Sequence, residues 1–129
     1  MVKELPLIGI IDDDTIYQFI LTSIINKNKL AKNILSFSDG ERAIEYLTNN
    51  KMKKEKIPDI LFLDVNMFIE EYAAIKKDIT KKITVFMLSS SVNPIDIERA
   101  GEISEISKYI IKPIKFEEVK IIFENHEIF

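Results

Sequence analysis

Five short apolar runs, separated by longer amphipathic stretches, restrict the folds open to this chain more than any other feature. Each run holds five to seven residues rich in Ile, Val, Leu and Phe, without strict alternation of apolar and polar residues. Continuous apolar character is typical of strands that are buried on both faces of a sheet. The predicted strands occupy residues 7–11, 33–37, 59–65, 83–88 and 108–112.

The stretches between these runs have the spacing of amphipathic helices. Asp14 or Thr15 can cap the first helix, and the residues that follow predict an apolar stripe along one face of it. Its members are Ile16, Phe19, Ile20 and Ile24. Four further helical patterns cover residues 38–50, 68–77, 92–103 and 115–126, with buried stripes predicted at Ala43, Ile44 and Leu47, at Phe68, Tyr72 and Ile75, and at Phe116, Val119 and Phe123. Residues 49–58 are polar and basic, which predicts a solvated loop.

Five strands that alternate with five helices predict an α/β fold. Right-handed crossovers then give a parallel sheet with helices on both faces, in three α/β/α layers. In such sheets ligands bind at the carboxyl ends of the strands. A functional site is therefore expected where the strands end.

Polar side chains stand at most of these strand ends. The first strand runs into Asp12, Asp13 and Asp14, and the third ends at Asp64. The fourth strand is followed by three serines that begin at Ser89, and the fifth ends with Lys112–Pro113. Each feature alone is ordinary capping or turn chemistry. Together they predict a shallow cleft where carboxylates, a hydroxyl and an ammonium converge.

The chemistry of this set favours phosphoryl transfer. Oxygen ligands without His or Cys favour Mg²⁺, which keeps several waters and takes only a few carboxylates. A carboxylate beside Mg²⁺ can attack phosphorus and become an acyl phosphate. A lysine and a hydroxyl can then neutralise the oxygens of the transferred group.

Composition excludes several other classes of protein. The chain has 129 residues, 47% of them apolar, which predicts one domain with a sizeable core. The net charge is −3 and no segment is strongly basic, which argues against nucleic-acid binding, and no apolar run is long enough to cross a membrane. The absence of cysteine excludes disulfides, and with the lack of a signal peptide it favours a cytoplasmic location.

The motifs "IIDDD", "PDILFLDVNM", "VFMLSSS" and "YIIKP" resemble, in this order and spacing, the receiver domain of response regulators. The resemblance covers nearly the whole chain, residues 1–129, as a single receiver domain, and is strongest to single-domain receivers of the chemotaxis-regulator type. It implies a flavodoxin-like fold with a five-stranded parallel sheet in the order 2-1-3-4-5.

The resemblance also implies roles for the acidic residues. Asp64 matches the aspartate that accepts the phosphoryl group. Asp13 matches a direct ligand of Mg²⁺ and Asp12 a ligand through water. Asn66 matches the residue whose backbone carbonyl completes the metal shell. Asp14 falls just past the acidic pair and is expected to cap the first helix.

Three residues near the later strands match the family's activation machinery. Ser89 matches the switch hydroxyl that binds the phosphoryl group, and Tyr109 matches the aromatic switch residue. Lys112 matches the lysine that pairs with the phosphoryl group, and its bond to Pro113 is often cis in the family.

The partners that the resemblance implies are proteins. A sensor histidine kinase or a histidine phosphotransfer protein would donate the phosphoryl group from a phosphohistidine. The output would be a changed protein-binding face, read by a partner that the sequence does not identify, and a homodimer is compatible with this scheme.

One departure from the family follows Met67, which continues directly into "FIEEYAAIKK" without the usual Pro and Asp-Gly turn. A tight turn beside Asn66, or a missing segment, is expected there, and either bears on the metal geometry. A degenerate receiver that acts only as a binding module is therefore one alternative.

A phosphatase of the haloacid-dehalogenase type is the other alternative. The pair Asp12 and Asp14 resembles the nucleophile motif of that family. Chain order argues against it, because Asp64 precedes Ser89 here, whereas that family places its further acidic pair after the lysine.

Overall fold

The structure, a computed structural model, describes residues 5–64, 78–79, 81–89, 108–112 and 114–127. The strands are β1 Leu7–Ile11, β2 Asn33–Phe37, β3 Ile60–Asp64, β4 Thr84–Ser89 and β5 Lys108–Ile111. These five strands form one sheet in the order β2-β1-β3-β4-β5, and every neighbouring pair is parallel. The predicted three-layer α/β fold and strand order are confirmed. The described helices are α1 Thr15–Lys27, α2 Gly40–Asn50 and α3 Phe116–Glu127, and a 3₁₀ turn spans Lys54–Lys56.

The central strands are buried on both faces, as their continuous apolar sequences predict. Every residue of β1 is buried, and so are the first four residues of β3. Because side chains alternate along a strand, Ile10 packs in the core layer beneath α1 and α3, while Ile11 packs in the layer beneath α2. Helices therefore cover both faces of the sheet. β2 lies at an edge and is only half-buried.

Helix α1 begins where predicted, but its buried face differs from the predicted stripe. Asp14 caps the helix by accepting a hydrogen bond from the Tyr17 backbone N–H at 3.0 Å. The buried side chains are Tyr17, Leu21 and Ile25. Of the predicted stripe, only Ile24 packs against the core, whereas Ile16 and Phe19 are 72% and 73% exposed and Ile20 is also exposed. The apolar residues of α1 itself lie on several of its faces, so their spacing alone does not show which face packs against the sheet.

Helix α2 follows its sequence pattern closely. Asp39 caps it by accepting from the Arg42 backbone N–H, and Ala43 and Leu47 are buried with Ile44 packed beside them. The solvated loop predicted at 49–58 is only partly correct. Residues 53–56 are exposed and include the short 3₁₀ turn, but Asn49 and Asn50 belong to α2, and Ile57 and Pro58 are buried.

Helix α3 confirms two of its three predicted core residues. Val119 and Phe123 are buried, but Phe116 is 40% exposed, and Ile122 is buried instead. Phe116 is the first residue of the helix and follows the exposed Lys115. The helices predicted at 68–77 and 92–103, and the turn expected after Met67, lie outside the described residues.

Across the described ranges, no helix combines the length and the apolar character that a bilayer span requires.

The amino end of the sheet is closed by an ion pair. The Lys81 Nζ lies 2.7 Å from Asp59 Oδ1 and also donates to the backbone carbonyls of Lys54 and Ile57. The other Asp59 oxygen, Oδ2, accepts from the Leu7 backbone N–H at 2.8 Å. This network joins the start of β1 to the segments that precede β3 and β4.

Candidate functional site

The carboxyl ends of four adjacent strands bring the predicted site residues together. Ile11 of β1 pairs in register with Leu63 of β3, so the residues that follow, Asp12 and Asp64, lie side by side. Ser89 ends β4 and pairs with Ile111 of β5. The Lys112 backbone N–H then donates to the Ser89 carbonyl at 2.7 Å, which places Lys112 at the same sheet edge.

Asp12 is fully buried, and the surrounding chain uses both of its carboxylate oxygens. Oδ1 accepts from the Asp14 backbone N–H at 2.9 Å, and Oδ2 accepts from Lys112 Nζ at 2.7 Å. Its backbone is held as well, since its N–H donates to the Phe37 carbonyl and its carbonyl accepts from the Gln18 amide. Asp12 is thus a buried carboxyl group held in one position at the base of the cluster.

Asp12, Asp13 and Asp64 form an acidic cluster whose candidate ligand atoms all lie within 4.8 Å of one another. Asp12 is buried, Asp64 is half-buried, and Asp13 is exposed, so the cluster opens to water on one side. Three hard oxygen donors with room for water fit the coordination that Mg²⁺ prefers. The residues present could therefore hold this ion, with Asp13 and Asp64 at the solvent side.

Lys112 supplies the positive charge of the site. Its ammonium lies 2.7 Å from Asp12 and 3.2 Å from Asp64 Oδ1, and its side chain is only 13% exposed. Burial alone would lower the pKa of Lys112, but the hydrogen bond to Asp12 and the charges of Asp64 and Asp12 outweigh it and raise the pKa. Lys112 is therefore protonated at neutral pH and bridges two carboxylates.

The pKa of Asp64 is raised above its ordinary value, as expected for a half-buried carboxyl group close to other carboxylates. Burial raises its pKa, the Asp12 charge raises it further, and the Lys112 ammonium lowers it only in part, so the net pKa is raised. Three carboxylates beside one described ammonium leave negative charge in excess. A cation bound at this point would relieve the repulsion and favour the ionised, nucleophilic form of Asp64.

The other predicted residues have different outcomes. Ser89 is fully buried at the end of β4, on the edge that carries Asp64 and Lys112. Tyr109 lies on β5 opposite Met87 and is half-buried. Asn66 and Pro113 fall outside the described residues. The functional roles assigned to all these residues remain predictions.

Two residues that the sequence analysis did not select take part in this region. Gln18 donates from its amide to the carbonyls of Asp12 and Phe37, at 2.6 and 2.8 Å, and so ties β1 to β2. Tyr17 lies beneath the Lys112 ammonium and accepts a hydrogen bond from the Ile114 backbone N–H. Burial raises the pKa of Tyr17, which keeps its hydroxyl protonated. The repeat Tyr17, Leu21, Ile25, a second helical stripe, was the available signal.

Comparison with protein families identifies one match over most of the chain. The model of the response regulator receiver domain matches residues 8–124. Comparison with curated protein sequences gives no significant match.

Solved structures of response regulators resemble the whole fold. A two-component response regulator from Cytophaga hutchinsonii is 26% identical, with a TM-score of 0.81, over 96% of this chain and 98% of that one. A response regulator receiver protein from Dyadobacter fermentans is 25% identical, with a TM-score of 0.78, over 93% and 96% of the two chains. The phosphorylated cyanobacterial phytochrome response regulator RcpA is also 25% identical, with a TM-score of 0.70, over 95% and 91%.

Proposed function

This chain belongs to the family of response regulator receiver domains, and from that premise we propose that it is a stand-alone receiver of a two-component phosphorelay. In this proposal Asp64 accepts a phosphoryl group from a phosphohistidine in the presence of Mg²⁺. The donor is a sensor histidine kinase or a histidine phosphotransfer protein, and an output protein reads the modified state.

One observation carries the proposal: Asp64 stands at a strand end between two further carboxylates and an ammonium 3.2 Å from its own oxygen. Asp64 is half-buried, so a substrate can reach it from solvent while the protein holds its orientation. RcpA, a similar protein, was solved in its phosphorylated form, which supports phosphorylation as the chemistry of this site.

The chain's own residues account for the transfer step. The nitrogen–phosphorus bond of the phosphohistidine breaks, and its electron pair remains on the imidazole nitrogen, which takes up a proton. One oxygen of ionised Asp64 forms the new bond to phosphorus. Lys112 and the Ser89 hydroxyl stabilise the oxygens of the transferred group, and Asp12 holds Lys112 in place. Mg²⁺, when bound by Asp12, Asp13 and Asp64, supplies further positive charge for those oxygens.

Phosphorylation would act as a switch between two packed states. Ser89 ends β4 beside Lys112, and Tyr109 lies on the neighbouring strand β5. Contacts of Ser89 and Lys112 with a phosphoryl group would favour one arrangement of β4 and β5, and Tyr109 would repack with them. The partner affinity of the face that includes β5 and α3 changes as a result.

Intact-mass spectrometry after incubation with acetyl phosphate and Mg²⁺ tests the proposal. Wild-type protein should gain one phosphoryl adduct, Asp64→Ala should gain none, and omission of Mg²⁺ should suppress the adduct. Asp59→Asn is a matched control, because Asp59 is a paired carboxylate at the opposite end of the sheet. An unmodified wild type, indistinguishable from Asp64→Ala, would contradict the proposal and favour the binding-only alternative.

The phosphatase alternative predicts a different dependence on the aspartates. Turnover of a phosphate ester that Asp12→Asn abolishes and Asp64→Asn preserves would support it. The match to the receiver family over residues 8–124 favours Asp64 as the reactive group instead.

A further inference from the structure

Tyr17 connects helix α1 to the segment that follows β5. Its hydroxyl accepts a hydrogen bond from the Ile114 backbone N–H at 3.1 Å, across 97 residues of sequence. The Lys112 ammonium lies over its ring, 4.4 Å from the ring centroid. One buried side chain therefore contacts both the lysine of the site and the backbone two residues beyond it.

The ring of Tyr17 limits where the Lys112 ammonium can lie. The side chain of lysine is flexible, and its ammonium behaves as a point charge. A carboxylate therefore attracts the ammonium without restricting the direction from which the lysine side chain approaches. Asp12 and Asp64 hold this ammonium on two sides, and the face of the ring lies on a third. A cation over an aromatic face is attracted by the ring quadrupole, more strongly where water is excluded.

Tyr17 is itself held by the acidic run that it follows. Its backbone N–H donates to Asp14 Oδ1 at 3.0 Å, and the next residue, Gln18, is fixed to the ends of β1 and β2. The backbone that carries Tyr17 is thus anchored to the segment that contributes Asp12 and Asp13 to the cluster.

We propose that Tyr17 is a positioning residue for Lys112, which holds the ammonium with its ring and the backbone after Lys112 with its hydroxyl. The functional part of this inference rests on the proposed phosphoryl transfer. A tyrosine that only filled the core would contribute through packing, so loss of the ring or the hydroxyl would affect stability and leave Lys112 in place.

Nuclear magnetic resonance of the metal-free protein tests the placement without any phosphoryl chemistry. The Cε protons of Lys112 should be shifted upfield by the Tyr17 ring, should stay shifted in Tyr17→Phe, and should lose the shift in Tyr17→Leu. Tyr46→Leu is the matched control, since Tyr46 packs on the opposite face of the sheet and donates its hydroxyl to the Lys56 carbonyl. Lys112 resonances that do not change in Tyr17→Leu would overturn the proposal.

Tyr17→Phe gives a separate test of the hydroxyl and decides the question if Tyr17→Leu does not fold. Exchange of the Ile114 amide hydrogen should become about tenfold faster in Tyr17→Phe, because its acceptor is lost. The amides at the centre of β1 should exchange as in the wild type. Equal acceleration of both sets would indicate a general loss of stability and would count against a positioning role for the hydroxyl.

Kinetics with acetyl phosphate at saturating Mg²⁺ test the functional consequence. Tyr17→Leu should phosphorylate about tenfold more slowly, while Tyr17→Phe and Tyr46→Leu stay within about threefold of the wild type. The Mg²⁺ dissociation constant, followed by the Asp13 amide shift, should change little in all three variants. An equal rate loss in Tyr46→Leu, or a parallel loss of Mg²⁺ affinity, would overturn the positioning role.

The two sets of measurements separate this inference from the proposed function. A wild type that takes up no phosphoryl group, yet shows the Lys112 shift and its loss in Tyr17→Leu, supports the positioning of Lys112 and contradicts only the proposed function. A wild type that is phosphorylated, with neither the shift nor the rate dependent on Tyr17, contradicts this inference and leaves the proposed function standing.

Discussion

The two ends of the parallel sheet both hold an aspartate–lysine pair, but only one of the two pairs is balanced. At the amino end, one carboxylate, Asp59, faces one ammonium, Lys81. At the carboxyl end, Lys112 bridges Asp12 and Asp64 while Asp13 lies beside them. The same two residue types thus form a structural ion pair at one end and an overcharged cluster at the other.

The amino-end pair uses the hydrogen-bonding capacity of its ammonium completely. The three N–H donors of Lys81 match three acceptors, namely Asp59 and the carbonyls of Lys54 and Ile57. Asp59 in turn binds the Leu7 backbone N–H. This end has little to gain from an additional ion, and its contribution is to hold strands and loops together.

The carboxyl-end cluster has the opposite character. Burial raises the pKa of Asp64, the Asp12 charge raises it further, and the Lys112 ammonium offsets these effects only in part. Charge that a fold leaves uncompensated costs stability, and it is typical of sites that bind a ligand of opposite charge. The pair of Asp59 and Lys81 therefore has a structural role, whereas the charge of the carboxyl-end cluster is typical of a site that binds a ligand.

The largest expected effect is on phosphorylation by acetyl phosphate with Mg²⁺. Lys112→Met should slow it by about a hundredfold, because a preorganised cation next to the transferred group is lost. Lys81→Met should leave the rate within about twofold of the wild type, provided that the protein is assayed well below its unfolding transition. Phosphorylation rates, taken from a time course of intact-mass spectra, show whether only the lysine at the carboxyl end of the sheet contributes to the reaction. Similar losses in both variants would mean that the distinction between the ends is wrong.

The next effect is on folding stability and concerns the amino end. Lys81→Met should lower the free energy of unfolding by about 2 kcal/mol, since it leaves a partly buried carboxylate and two carbonyls without their donor. Lys81 and Asp59 are only 22% and 27% exposed, so solvent screens the pair incompletely. Urea denaturation followed by circular dichroism measures the change. Lys82→Met, at an exposed neighbour, is the control and should cost less than about 0.5 kcal/mol.

Mg²⁺ should stabilise the carboxyl end alone. At ten times its dissociation constant, Mg²⁺ should raise the free energy of unfolding of the wild type by about 1.4 kcal/mol. Asp13→Asn should lose most of this gain at the same Mg²⁺ concentration, whereas Asp59→Asn should keep it. Thermal or urea unfolding with and without excess chelator gives the values. A gain that survives in Asp13→Asn would place the ion elsewhere.

The smallest effect is on the pH dependence of stability in chelator. Because the pKa of Asp64 is raised in the folded state, its contribution to stability is present below the pKa of an unfolded aspartate, about 3.9, and is lost as pH rises through the folded-state pKa. Asp64→Asn should therefore be more stable than the wild type at pH 7, by about 1 kcal/mol, as removal of an unfavourable charge commonly gives.

Carboxylates begin to protonate at a pH of about 4, as expected from their ordinary pKa. The higher free energy of unfolding of Asp64→Asn, relative to the wild type, should therefore shrink as the pH falls towards this value. Asp59→Asn, measured by the same urea series, should instead be less stable than the wild type at pH 7. An Asp64→Asn protein that is less stable than the wild type at pH 7 would show that the carboxyl-end cluster is not overcharged.

Much of this arrangement could be predicted from local sequence. Five continuous apolar runs specify strands, of which β1, β3 and β4 are buried as predicted, and their alternation with helical patterns specifies a parallel sheet. A parallel sheet places all its strand ends at one edge, so Asp12, Asp64, Ser89 and Lys112 could be assigned to one site without knowledge of any contact. The N-cap at Asp14 also follows from local chemistry alone.

The surface and support of the site required the tertiary structure. The sequence determined that α1 is an apolar-rich helix, but Ile16 and Phe19 are exposed and Tyr17 is buried because the sheet contacts only one of its stripes. The contacts of Tyr17 with Lys112 and Ile114, and the pairing of Asp59 with Lys81, join distant parts of the chain. The spacing of apolar residues along the sequence does not show which face of a helix packs against the sheet. The direction in which α1 faces, and the residue that each charge meets, were therefore decided by packing.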